Sequence, residues 1–148
     1  MSLEQTISEA IKTAMREKDR VALDSLRAVK AQILLLQTEA RGAEVTTEQE
    51  IAILQRMIKQ RKDSYEQFTA QGRTDLAEVE EAQSKVIEKF LPKQLSAEEL
   101  ESEIKKIISE TGAESLKDLG KVMSVASKAL AGKSDGKSIS EMVKKLLS

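Results

Sequence analysis

Apolar residues recur along this chain at helical intervals from one end to the other. Leu3, Ile7, Ile11 and Met15 fall four apart and predict an amphipathic helix near residues 3–17. Asp19 is placed to cap a second helix, in which Ala22, Leu26, Val29, Ile33 and Leu36 alternate spacings of four and three before Gly42 stops it. A third helix is expected from Thr47, which forms a capping box with Glu50, to Gly72. Its seam reads Ile51, Leu54, Ile58, Arg61, Tyr65 and Phe68, so Arg61 is a charge at an apolar position. Thr74 is expected to cap a fourth helix carrying Leu76, Val79 or Glu80, Gln83, Ile87 and Phe90, ended by Pro92.

Three shorter periods follow the only proline. Ser96 with Glu99 opens a fifth helix through Leu100, Ile104 and Ile107, closed by Gly112. Ser115 caps a sixth with Leu116, Leu119, Met123, Ala126 and Leu130 in phase. After the polar turn Gly132–Lys137, Ser138 with Glu141 is expected to cap a seventh bearing Ile139, Met142 or Val143, and Leu146. The pattern predicts an all-α protein, with an N-terminal four-helix bundle over residues 1–93 and a C-terminal three-helix bundle over 94–148.

Composition narrows the chemistry. The 148 residues contain neither cysteine nor histidine, so no disulfide or thiolate site exists, and the usual general base and commonest metal ligand are missing. Nucleophilic triads of the usual kind and Glu-x-x-His metal motifs are thereby excluded. No catalytic residue, metal site or cofactor is expected. The longest apolar runs, Ile33–Leu36 and Ile51–Leu54, are far too short to span a membrane, and the acidic start Met1-Ser2-Leu3-Glu4 lacks a signal-peptide pattern. A soluble cytoplasmic protein without a membrane partner is the expectation.

The net charge is −1, yet from Lys117 onward seven lysines face three carboxylates, a local surplus of +4. At about 100° per residue, Lys117, Lys121 and Lys128 fall on one side of the sixth helix, roughly 160° from its apolar residues. A solvated face on an amphipathic helix often looks like this. The charge surplus, with Lys133 and Lys137 in the next turn, adds weight to phosphate contact. No aromatic residue lies beyond Phe90, so such contact would read backbone and shape rather than stack on bases. The turn ending Gly136-Lys137-Ser138 has three residues between its glycines where a phosphate loop needs four, and a helix rather than a strand precedes it. Arg61 is expected to be buried and paired with Glu80 on the fourth helix, an ion pair that sets helix register.

Two stretches carry a family resemblance. The first is Gly72-Arg73-Thr74-Asp75-Leu76-Ala77, then Glu80, then Phe90-Leu91-Pro92-Lys93-Gln94-Leu95-Ser96; the second is Gly120-Lys121-Val122-Met123 with Gly132-Lys133-Ser134-Asp135-Gly136-Lys137. Together they resemble the YqeY family, whose C-terminal part is similar to the tail of the tRNA-dependent amidotransferase B subunit. Ser124 and Ser134 stand where the family often has glycine and alanine. The resemblance implies a helical accessory protein whose partner is tRNA or a tRNA-processing protein. It associates the chain with glutamine-dependent amide transfer without supplying that enzyme's catalytic domains. A helical adaptor that binds protein and no RNA is the competing expectation.

Overall fold

A computed structural model describes residues 2–148, and among these every regular element is helical. The helices are α1 (Leu3–Glu17), α2 (Arg20–Glu39), α3 (Thr47–Ala70), α4 (Thr74–Glu88), α5 (Ala97–Thr111), α6 (Leu119–Ala129) and α7 (Gly136–Leu147), with a 3-10 turn at Leu116–Asp118 before α6. They divide into two compact units, one ending at Leu91 and the other running Pro92–Ser148.

In the N-terminal unit, α1 packs along α2, α2 packs on α3 and α4, and α3 and α4 form an antiparallel hairpin around Gly72. The core gathers Ile7 and Ala14 from α1, Leu26, Val29 and Ile33 from α2, Ile53, Leu54, Met57 and Ile58 from α3, and Ile87 from α4. Met15, expected in the core, is 55% exposed, and Ala14 is buried in its place. The reason is geometric. Residues four apart advance about 400°, so a strict four-spacing drifts about 40° per step and carries its last member off the core.

Local chemistry places the helix starts. Ser2 and Gln5 exchange hydrogen bonds in a capping box that opens α1. Asp19 accepts from the Ala22 N–H at 3.1 Å and opens α2. α3 begins one residue earlier than expected, because Thr46 and Gln49, not Thr47 and Glu50, form its box. Thr74 is not a cap either. Arg73 occupies that position without a capping side chain and instead forks onto the Asp75 carboxylate at 3.2 and 3.1 Å.

The C-terminal unit is a mutual packing of α5, α6 and α7. One core gathers Leu100, Ile104 and Ile107 from α5, Val122 and Ala126 from α6 with Leu130 at its C-cap, and Ile139, Val143 and Leu147 from α7. Helices of 11–15 residues are marginal alone in water, so this shared apolar face is what keeps them folded. Ser96 and Glu99 form the expected box at the start of α5, and Gly112 ends it at φ 71°. The Ser138–Glu141 box does not form, because α7 starts three residues sooner with Asp135 at its N-cap.

Candidate nucleic-acid interface

The lysine positions follow from how α6 begins and ends. Ser115 accepts from the Lys117 N–H, and the chain makes a tight 3-10 turn before α6 proper. A 3-10 turn advances about 120° per residue rather than 100°. Lys117 therefore stands in the turn and drops out of the helical phase assumed for it. Lys121 and Lys128 lie on α6 itself, seven residues apart, and so within about 20° of one another. Buried Val122 and Ala126 lie roughly 100–160° around the helix from them. Val125, 39% exposed, stands between the two lysines on the same face.

Lys133 and Lys137 belong to the connection between α6 and α7. Lys133 lies in the turn that closes α6, its N–H donating to the Leu130 carbonyl at 3.0 Å. Lys137 is the second residue of α7. All five lysines are exposed, and among the described residues none takes part in an ion pair. The fold thus collects Lys128, Lys133 and Lys137 around one end of α6 and leaves Lys117 and Lys121 toward the other.

That end is held by contacts that the spacing did not reveal. Gly132 is buried, with φ at +78°, where the chain must turn sharply left-handed. Its carbonyl accepts from the Gln94 side-chain amide at 2.6 Å, which also donates to the Pro92 carbonyl at 2.8 Å. One residue on, the Lys133 carbonyl accepts from the Leu95 N–H at 2.9 Å. The segment Pro92–Ser96 therefore clasps the segment Gly132–Lys133, so the end of the first sequence motif is physically joined to the second. The clue was that both motifs belong to one resemblance; nothing in the periodicity pointed to their contact.

The turn before α7 does not make a phosphate cradle. Helix α6 precedes it, and the residue at the N-cap of α7 is Asp135, whose negative charge works against an anion there.

Arg61 and Glu80 are not brought together. Arg61 is half-buried, its Nε–H donating to the Gln83 side-chain oxygen and one Nη to the Met57 carbonyl, each at 3.2 Å. Glu80, also half-buried, forms no ion pair among the described residues. The partner is Gln83, one turn along α4 from Glu80. A neutral amide satisfies the guanidinium in this half-buried site without desolvating a second charge. Among the described residues no three His, Cys, Asp or Glu side chains group as a metal site, and no helix is long and apolar enough to cross a membrane.

Comparison with known proteins adds a lineage to this geometry. The sequence model of the family described as "Yqey-like protein" matches residues 4–147. A protein of Meyerozyma guilliermondii named "Altered inheritance of mitochondria protein 41, mitochondrial" is 35% identical over 91 residues, covering 58% of this chain and 44% of that protein. The protein of the same name in Pyrenophora tritici-repentis is 35% identical over 81 residues, 54% of this chain and 44% of its own. An uncharacterised protein of Schizosaccharomyces pombe is 29% identical over 96 residues, covering 64% of this chain and 76% of that one. The chain spans less than half the length of the two mitochondrial relatives.

Proposed function

The chain belongs to the YqeY family, and on that premise we propose that it is a non-catalytic accessory protein that binds folded tRNA through its C-terminal unit. One observation carries the reading. Lys121 and Lys128 stand exposed and, among the described residues, outside any ion pair, on the side of α6 turned away from Val122 and Ala126. Lys133 and Lys137 extend that positive surface past the clasped turn, and Lys117 extends it at the other end. Ammonium groups on a rigid helix suit the phosphate backbone, and the lack of aromatic residues beyond Phe90 suits recognition of shape rather than of single bases.

The same reading takes residues 1–93 as a four-helix bundle and residues 94–148 as a separately folding three-helix bundle. The chain would work in the cytoplasm, where tRNA is plentiful; the mitochondrial designation belongs to the relatives. It carries no amide-transfer chemistry by itself and acts beside enzymes that do.

Titration of fluorescently labelled tRNA with the whole chain at several salt concentrations tests the proposal. About five phosphate contacts imply a slope of roughly −4 to −5 in log affinity against log salt. Binding that ignores salt, or none at low salt, would leave the protein-adaptor reading in its place.

A further inference from the structure

The N-terminal unit carries a second surface, unrelated to the lysines. Leu35 on α2 is 52% exposed, on a helix whose core stripe is already complete without it. Leu35 leads into a groove of about 250 Å³ between the C-terminal half of α2 and the N-terminal half of α3, floored by Leu36, Ala52 and Ile53.

The groove has a charge at each end and apolar residues between. At one end Arg56 of α3 reaches across to the Gln32 side-chain oxygen of α2 at 3.1 Å. At the other end stands Glu39, seven residues beyond Gln32 and therefore about 10 Å further along the axis of α2. Among the described residues neither Arg56 nor Glu39 makes an ion pair.

This layout, positive then apolar then negative, is its own complement under a two-fold rotation. We propose that the α2–α3 groove is the contact surface for a second copy of this chain. The two-fold axis passes near Leu35, so that Arg56 of each copy meets Glu39 of the other and the paired Leu35 side chains fill the centre. A net charge of −1 leaves little long-range repulsion to oppose the encounter. A strip this short buries less than the roughly 800 Å² per partner of a standard stable complex. The dimer is therefore weak and forms only as concentration rises.

Sedimentation equilibrium of the whole chain over the micromolar to millimolar range tests this. The expected result is a mass that climbs from one chain toward two. Leu35→Glu should hold it at one chain, with circular dichroism unchanged because the side chain is exposed. Arg56→Glu and Glu39→Arg should each weaken association by about tenfold, since each places two like-charge pairs in the symmetric contact. The two combined should restore it, because the complement is then rebuilt with signs reversed. A monomeric wild type at every concentration, a Leu35→Glu variant that dimerises like the wild type, or a combined variant no better than the single ones would each overturn the proposal.

Discussion

Gly132 and Gly120 are both glycines of the C-terminal unit, yet alanine should act on them in opposite directions. Gly132 sits at φ +78°, and there a Cβ crowds the following carbonyl at about 1–2 kcal/mol. It is also buried beneath the Gln94 clasp, so relaxing the backbone angle would lengthen a 2.6 Å hydrogen bond. Gly120 lies in the first turn of α6, and a Cβ built there meets nothing within 4 Å. Alanine at that position removes freedom from the unfolded chain and should stabilise by about 0.5–1 kcal/mol. For a unit this small, each kcal/mol moves the melting temperature by about 4–8 °C. Gly132→Ala should therefore lower the transition of the C-terminal unit by about 5–15 °C, and Gly120→Ala should raise it by a few degrees. Thermal unfolding gives the shift, and amide exchange at Val122, Ala126 and Val143 assigns it to this unit. A Gly132→Ala variant as stable as the wild type, or a Gly120→Ala variant that loses stability, would refute the reasoning about this turn.

Other substitutions probe the remaining structure. Arg61→Ala should cost about 1–2 kcal/mol for two lost hydrogen bonds, while Glu80→Ala stays within about 0.5 kcal/mol. A double-mutant cycle that couples these two residues strongly would contradict the Gln83 pairing. Ile104→Ala empties a fully buried site and should cost about 2–5 kcal/mol. That is comparable to the whole stability of so small a unit, so α5 amides should lose exchange protection. The capping hydrogen bonds to Ser96 hold the Glu99 carboxyl below its ordinary value, with the charge of Lys93 adding a little. A depressed carboxylate contributes stability that is present above its unfolded value and is lost as pH falls through its folded one. Acid titration from neutral pH to below the usual carboxylate range should therefore weaken α5 more in the wild type than in Glu99→Gln; equal losses would be against the cap.

The helices were legible in the sequence because each carries its own period and its own start or stop chemistry. Asp19, Ser96 and Gly112 do in the structure what their residue types suggest. The errors came from register and from contacts between distant segments. Thr46 rather than Thr47 caps α3 because both are threonines followed three residues later by a residue able to complete the box. Lys117 stands in a local 3-10 turn rather than on α6 itself, a break in helical phase that angular arithmetic over one helix cannot anticipate. Arg61 was read as a charge in search of a charge, but α4 offers it an amide one turn away. The Gln94 clasp joins residues 38 apart, and no local pattern encodes a contact of that range.

The proposed tRNA binding rests on the side of α6 bearing Lys121 and Lys128 meeting RNA phosphate. Replacing both with glutamate reverses the sign of that face without touching the buried Val122, Ala126 and Leu130. Fluorescence anisotropy of labelled tRNA, titrated with wild type and with the Lys121→Glu, Lys128→Glu variant at low salt, measures the consequence directly. The variant is expected to keep the helical circular dichroism of the wild type and to lose tRNA binding. Equal affinity for the two folded proteins would contradict it.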